Sequence, residues 1–259
     1  MEIVCDKCNI IKQSMSSPRI PQSAFHTNYK TPYEINSRLT LFSKEIGKGQ
    51  AMLEKLSAVL GTDTLNSSSF DNLNSAVCDA TELCGQEALE RAVIKVRQAY
   101  ADLDPDIQAA LDRGEQPIID IHPAFDGTWQ KRGFTSKYRA GFVIDMLTGL
   151  AVDFELMSKY CHVCACQVHA SEEDRTAWMA KHKANCCINH EGSSKAMEAD
   201  AAVILWNRSI RKFNLRYASM LSDRDSLAIK KVNAENPYMV LKSKSYIAST
   251  MPIKVWNQL

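Results

Sequence analysis

The chain has 259 residues, 45% of them hydrophobic, and its 31 lysines and arginines against 30 aspartates and glutamates leave a net charge of +1. A chain of this size and composition can bury a substantial core, so we expect a soluble globular protein. No apolar run approaches the ~18 residues of a membrane span, and the first residues lack a secretory h-region, which argues against membrane-spanning and secreted proteins. We therefore expect a nuclear or cytoplasmic location, where the nine cysteines are reduced and close cysteine pairs are candidate metal ligands.

The predicted N-terminal segment, residues 1–32, contains the word "CDKC", in which Cys5 and Cys8 form a Cys-x2-Cys half-site. No second ligand pair follows nearby, whereas a tetrahedral site needs four ligands. The role of this half-site therefore stays open.

Residues 33–114 are predicted to be a helical region, because apolar residues recur there at helical spacing. Gly61 stands where a C-cap glycine would end a helix. A short helix is predicted from Asp104, as its N-cap, to Gly114 just past its end. Two cysteines on the helical pattern are expected to be core thiols: Cys78 and Cys84.

Residues 115–259 are predicted to form an α/β sheet with helices packed on it. Three short runs rich in β-branched and aromatic residues come first, "PIIDIHPAFD", "SKYRAGFVIDM" and "LAVDFELMSKY", with "LTG" as a hairpin turn between the last two. A helical stretch follows at "SSKAMEADAAVILWNRSIRKFN", with Ser194 as its expected N-cap. A fourth strand, "LRYASMLSD", and a second short helix complete the order.

Two aspartates are predicted to end strands of this sheet, Asp126 after the first and Asp223 after the fourth. If these strands are neighbours, the two carboxylates converge, and their repulsion would be relieved by a shared Mg²⁺ or Mn²⁺ ion. Two such metals would suit a phosphoryl transfer. Aspartate at a strand end is also ordinary turn chemistry, so both interpretations stay open.

Cysteines and a histidine have the spacing of a structural zinc site. "CHVC" supplies Cys161 and Cys164, and "HKANCC" supplies His182 with Cys186 or Cys187. Such a set suits tetrahedral zinc, although buried thiols beside a surface histidine are the alternative. Nearby residues that complicate the assignment are Cys166, His162, His169 and His190.

A basic cluster follows the first aspartate, and it is a candidate for contacts with DNA phosphates. Its members are Lys131, Arg132, Lys137 and Arg139. A solvated charged face is the alternative. Trp129, beside the cluster, either stacks on a base or belongs to the edge of the core.

The words "FDGTWQKRG", "SKYCHVC", "HKANCCINHEGSSKAMEADAA" and "LRYASMLSDRDS", in this order, resemble the Mutator-like transposase domain. The resemblance runs from about Tyr33 to Asn236. It implies a DDE-type transposase with a ribonuclease H-like fold, a zinc-binding insertion and three metal-binding acids that act on DNA at transposon ends. The expected fold is thus a ribonuclease H-like mixed sheet preceded by a helical region.

Carried over by this resemblance, the first acid is Asp126 and the second is Asp223, with Asp225 as its alternate. The resemblance also favours Cys186 over Cys187, because the family's cysteine stands three positions before an asparagine, here Asn189. Zinc is expected to be structural, and Mg²⁺ or Mn²⁺ to be the catalytic cofactor of a complete site.

The sequence departs from the family where the third acid is expected, since residues 239–259 contain no aspartate or glutamate and the last acid is Glu235. We therefore expect a C-terminally truncated, transposon-derived protein that is inactive by itself. Two alternatives remain: a non-catalytic zinc-containing module that binds DNA or protein, and an enzyme completed by a missing part or by homo-oligomerisation.

Overall fold

The structure is a computed structural model that describes residues 2–4, 7–8, 11–13, 17–20, 32–129, 136–167, 171–222 and 226–238. The chain forms two compact units, Met1–Glu87 and Ala88–Leu259. The domain boundaries expected at residues 32 and 114 stay predictions. Among the described residues, no helix is both long enough and apolar enough to cross a membrane.

The first unit starts with a short antiparallel hairpin and continues as helices. Cys8 is exposed at the hairpin turn, and Cys5 lies outside the described residues. The helical stretch around Gly47 is two helices, because the chain adopts a positive φ of 65° at that glycine. Gly61 ends the second helix in the left-handed conformation, as the sequence predicts. The elements are β1 (Glu2–Val4), β2 (Ile11–Gln13), α1 (Glu34–Glu45), α2 (Gln50–Leu60) and α3 (Ser67–Ala101), the last running into the second unit.

The prediction that Cys78 and Cys84 are core thiols is wrong, because both are exposed on α3. A helix of 35 residues carries apolar residues on several faces, so helical spacing alone did not identify its buried face.

The second unit contains both helices and strands, in the predicted order. The short helix begins as predicted, with the Asp104 carboxylate accepting the N–H of Asp106 at 3.0 Å. The elements of the second unit after α3 are α4 (Pro105–Asp112), which is this short helix, β3 (Ile119–Ile121), β4 (Pro123–Trp129), β5 (Tyr138–Asp145), β6 (Ala151–Ser158), α5 (His162–Cys166), α6 (Glu172–His182), α7 (Ser194–Phe213), β7 (Leu215–Tyr217) and α8 (Ser226–Glu235).

The strands form a mixed arrangement, which confirms the α/β class. β4, β5 and β6 pair antiparallel in that order, whereas β3 pairs parallel with β7. β3 and β4 are separated only by His122, and a parallel bridge joins Ala124 to Leu221. The first predicted strand is therefore two pieces, because Pro123 has no N–H to continue a ladder.

Helix α7 packs against β5, β6 and β7 and supplies much of the core. Trp206 is fully buried and meets Phe125 and Tyr217 edge to face, at centroid distances of 6.0 and 5.0 Å. The helix approaches the sheet closely where Ala201 faces Gly141. This contact fixes α7 over the strands that carry the candidate site.

The N-cap of α7 is Ser193, not Ser194 as predicted from the sequence. The Ser193 hydroxyl accepts the N–H of Ala196 at 3.2 Å. Ser194 is buried and donates instead to the carbonyl of Ser136 at 3.1 Å. The adjacent serines are equivalent in sequence, and only the packing of Ser194 separates their roles.

Candidate metal centre and acidic strand

The structure brings together four side chains that the spacing pattern selects: Cys161, Cys164, His182 and Cys186. Their ligand atoms all lie within 4.8 Å of one another. The Sγ atom of Cys161 is 3.3 Å from Nε2 of His182, and the Sγ atoms of Cys164 and Cys186 are 3.6 Å apart. Tetrahedral zinc, with Zn–S of ~2.3 Å and Zn–N of ~2.0 Å, places ligands about 3.5–3.8 Å apart. The cluster therefore fits a metal such as zinc.

Local structure explains how these ligands converge. Cys161 precedes α5 and Cys164 lies within it, so one turn of helix aims both thiols the same way. His182 is the last residue of α6, and a 3-10 turn over Lys183–Asn185 leads from it to Cys186. Cys187, the sequence alternative, is exposed and does not belong to the group.

The pKa values of Cys161 and Cys164 are shifted in opposite directions. The backbone N–H groups of Cys164 and Cys187 point at the Cys161 thiol and lower its pKa to about 5. Burial raises the pKa of Cys164 to about 12, with the neighbouring Cys186 thiol adding to the effect. Because cysteine binds a cation as the thiolate, the lowered pKa of Cys161 favours cation binding, whereas the raised pKa of Cys164 opposes it.

Trp178 orients the histidine ligand, and the spacing pattern did not reveal it. Its indole stacks on the His182 ring with centroids 4.5 Å apart and planes 17° from parallel. The two residues lie four apart on α6, so they share one helix face. The separation of four residues between Trp178 and His182 is the sequence feature from which this contact could have been predicted.

The insertion that carries the cluster leaves and rejoins the sheet at one point, the end of β6. The N–H groups of Asn189 and His190 both donate to the carbonyl of Ser158, at 3.0 and 3.1 Å. The Asn189 side chain accepts the Ser158 N–H and donates to the carbonyl of Leu156, each at 2.7 Å. These bonds close the base of the insertion independently of any metal.

His190 connects the exit of the insertion to the two following helices. It is buried, with Nδ1 2.9 Å from the Asp200 carboxylate on α7 and Nε2 3.2 Å from the carbonyl of Ser193. Asp200 also pairs with Lys231 on α8. This link between distant residues has no signal in the sequence.

Asp126 lies on an exposed face of β4, and its Oδ1 atom accepts the N–H of Gly127 at 2.8 Å. The prediction that a strand ends at this residue is wrong. Asp126 is the fourth of seven residues in β4, and pairing with β5 continues as far as Trp129 opposite Arg139. The antiparallel partner extends the strand beyond the point where its apolar run stops.

Asp223 and Asp225 lie outside the described residues, so their positions stay predictions. The strands that lead toward the two acids are parallel neighbours, as expected. The N–H of Phe125 donates to the carbonyl of Leu221 at 2.7 Å, and the N–H of Leu221 donates to the carbonyl of Pro123 at 3.0 Å.

The basic cluster divides in the structure. Arg139 is buried, pairs with Glu198 of α7, and lies with its guanidinium 3.7 Å from the centre of the Trp129 ring. Lys137 is exposed, with Nζ 3.8 Å from the centre of the Tyr160 ring. Lys131 and Arg132 lie outside the described residues. Of the two described members, only Lys137 faces solvent.

A scan against family models matches residues 1–245 to the Mutator-like transposase family. No curated protein and no solved structure matches the chain. The family match covers nearly the whole sequence. It includes β4, which carries Asp126 and which we call the acidic strand, and the four Cys/His residues. The chain therefore belongs to the Mutator-like transposase family and is a transposon-derived protein.

Proposed function

We propose that this chain binds DNA through a ribonuclease H-like core whose acidic site is formed by Asp126 and Asp223, with Asp225 as the alternate to Asp223. The strand order supports this fold assignment. β6, β5 and β4 are successive antiparallel neighbours. β7 pairs parallel with β3, and beyond β7 a parallel bridge joins Leu221 to Ala124 of β4. The zinc-binding insertion and α7 connect β6 to β7. Family membership supports DNA as the partner.

One observation carries the assignment of the acids: the parallel bridge between Ala124 and Leu221. It stands two residues before Asp126 on one strand and two residues before Asp223 in the sequence. In parallel neighbours, residues that stand equally far beyond a bridge lie side by side, whether or not a strand ends there. The register therefore supports a pairing of the two carboxylates.

Two converging carboxylates suit a hard divalent cation with oxygen ligands. Bound there, Mg²⁺ or Mn²⁺ would neutralise charge on a phosphodiester during strand cleavage and transfer. The exposed Asp126 carboxylate is open to such an ion, since its one backbone bond leaves other lone pairs available.

We propose that this chain binds DNA without cutting it. The family chemistry uses three acids, whereas Glu235 is the only acid that follows Asp225 in these 259 residues. Glu235 is the last residue of α8, a helix that packs mainly on α7, whereas Asp126 lies on β4. Two carboxylates alone hold a second metal weakly, so the charge stabilisation that cleavage needs is lost.

Arg139 acts in this proposal as a positioning residue for the acidic strand. Its pairing with Glu198 and its stacking on Trp129 tie the end of β4 to β5 and α7. Contacts with phosphate are assigned instead to Lys137, together with Lys131 and Arg132, which precede it in the sequence.

The test of this proposal compares DNA binding with and without Mg²⁺ at equal ionic strength, using Asp126→Asn. Without Mg²⁺, removing the carboxylate charge should tighten binding, because Asp126 repels phosphate. With Mg²⁺, the unsubstituted chain should bind several-fold more tightly, and Asp126→Asn should gain nothing. Asp112→Asn, an exposed acid at the end of α4, is the matched control. A chain that binds no DNA, or an equal Mg²⁺ effect in all three proteins, would contradict the proposal.

A zinc-containing binding module without an acidic cation site is the second candidate. The complete Cys/His cluster favours it, because a structural zinc site needs no third acid to be useful. The same experiment separates the two candidates. DNA affinity that changes neither with Mg²⁺ nor with Asp126→Asn would support the zinc-containing binding module.

A further inference from the structure

Two lysines and two tyrosines lie together where the β5–β6 hairpin meets the metal-binding insertion. We call this group the aromatic-basic patch; its members are Lys137, Tyr138, Lys159 and Tyr160. Tyr138 opens β5 opposite Ser158, the last residue of β6. The N–H of Lys159 donates to the carbonyl of Lys137 at 2.9 Å, which holds the two chain segments side by side.

The two tyrosine rings form a small rigid platform. They meet edge to face at a centroid distance of 6.2 Å, and Lys137 covers one face of the Tyr160 ring. Tyr160 is fixed by two bonds with the Ser158 hydroxyl, which donates to its carbonyl at 2.8 Å and accepts its N–H at 3.2 Å. Tyr160 also directly precedes the metal ligand Cys161. The platform is thus preorganised by the base of the insertion.

The patch is positively charged and accessible. Lys137 and Lys159 are exposed, and 37% of the Tyr138 surface is open to solvent. In the part of the chain that the structure describes, no carboxylate pairs with either lysine. By contrast, Arg208, Lys212 and Arg216 are all bound to carboxylates. The patch therefore combines free positive charge with an exposed aromatic ring.

We propose that the aromatic-basic patch binds DNA at an unpaired base, with Tyr138 stacking on the base and the two lysines contacting the flanking phosphates. Exposed aromatic rings beside cations are the features by which proteins hold single-stranded nucleic acid. A duplex offers its phosphates to lysines but keeps its bases stacked, so it cannot use the ring. The charge and the ring together favour a strand with an unpaired base over an intact duplex.

The proposal rests on the proposed DNA binding and adds its location and its preferred DNA structure. β4 ends at Trp129, opposite Arg139, so the patch and the strand of Asp126 belong to the same end of the sheet. A strand held on the patch would thus lie near the proposed acidic site, which suits an enzyme family that acts at strand ends.

The test uses the full chain and labelled oligonucleotides of one sequence: a duplex, the same duplex with an unpaired three-nucleotide flap, and the single strand. Tyr138→Ala should weaken binding to flap and single strand by about tenfold and leave duplex binding within about twofold. Tyr138→Phe keeps the ring and should bind like the unsubstituted chain. Phe42→Ala removes an exposed aromatic ring from α1 and is the matched control.

The lysines are tested by salt dependence. The double change Lys137→Gln and Lys159→Gln should weaken binding to all three DNAs and lower the slope of log affinity against log salt by about 1.4–1.8. Lys55→Gln with Lys230→Gln removes two other exposed lysines and should change the slope little.

Zinc content and melting temperature establish that each variant is folded. If Tyr138→Ala is unfolded, photocrosslinking of the unsubstituted chain tests the proposal instead. 5-Iododeoxyuridine in the flap should then crosslink to the peptide containing Tyr138 or Tyr160. DNA binding that does not change in folded Tyr138→Ala, or crosslinks found only elsewhere, would overturn the patch while leaving the proposed DNA binding intact. A chain that binds no DNA would overturn both.

Discussion

Gly127 faces the guanidinium of Arg139 across the β4–β5 ladder, and a side chain at this position would collide with it. A Cβ atom built on Gly127 lies 2.6 Å from Nε of Arg139, which cannot retreat because it is buried between Trp129 and Glu198. We expect Gly127→Ala to lower the free energy of unfolding by ~1–3 kcal/mol, measured by denaturant titration.

Gly85→Ala is the control for this prediction. Apart from its chain neighbours and the backbone of its own helix α3, no described atom lies within 4 Å of the added methyl group. There alanine should stabilise by ~0.5–1 kcal/mol. Equal effects of the two substitutions would contradict the account of Arg139 as a buried positioning residue.

From the raised pKa of Tyr100, we predict that the protein loses stability in alkaline solution. Its hydroxyl donates to the buried Asp145 carboxylate at 3.0 Å, and burial followed by the charge of Asp145 raises the pKa of Tyr100 to about 12. Between pH 10 and 12 the unfolded chain loses this proton while the folded chain keeps it, so the free energy of unfolding falls as pH rises.

The measurement for Tyr100 is the melting temperature from pH 8 to pH 11.5, compared with Tyr100→Phe. The variant should be less stable at pH 8 but should lose less stability with rising pH. Parallel curves for the two proteins would show that the Tyr100 proton is not coupled to folding.

At the residue scale, the sequence predicted the side chains that share a spacing pattern. It did not predict contacts between residues that are far apart in the sequence. The four Cys/His positions follow the regular spacing that a shared tetrahedral metal would require. Glu198 and Asp200 are joined to their partners only by the folded chain, so no local pattern marks them. The buried state of Arg139 was hidden for the same reason.

At the scale of elements, the insertion between β6 and α7 allows adjacent cysteines to be compared, one a candidate zinc ligand and the other not. Cys186→Ser removes a ligand and should lower zinc affinity more than about 100-fold, measured by competition with a chromophoric chelator. Cys187→Ser should retain one zinc per chain, because its exposed thiol does not belong to the group. Cys166→Ser, also exposed, serves as a second control.

Removal of zinc should lower the melting temperature, since metal binding to the folded state stabilises it. The bonds of Asn189 to β6 should keep the core folded, so hydrogen exchange should increase across the insertion and much less in β5. A chain that contains no zinc, or a chelator that leaves hydrogen exchange unchanged, would contradict the structural role of the metal.

The kinds of elements and their order followed from periodicity, whereas the limits of the strands did not. The apolar run ends at Phe125, but β4 continues to Trp129 because β5 supplies hydrogen-bond partners there. Conversely, β7 covers only Leu215–Tyr217 of the longer predicted strand. Pairing with neighbours sets strand length, and a single sequence does not contain that information.

For the whole molecule, the small net charge conceals a division that the described residues show. Some basic side chains pair with carboxylates and others are exposed without such a pair. Helix α7 uses Arg208 and Lys212 to neutralise the fully buried Asp153, so these cations stabilise the fold. Lys137 and Lys159 remain open at one end of the sheet. DNA affinity should therefore depend on that end, although the overall charge of +1 gives no indication of a nucleic-acid partner.

The central proposal is that this member of the Mutator-like transposase family binds DNA but does not cut it. The most direct test is a strand-cleavage assay on DNA containing a transposon-like end, with Mg²⁺ or Mn²⁺, run on this chain and on Asp126→Ala. The account predicts retarded but uncut DNA in both cases. Metal-dependent cutting by the unsubstituted chain that Asp126→Ala abolishes would contradict it, and would assign the third acid to Glu198, Glu235 or another residue of these 259.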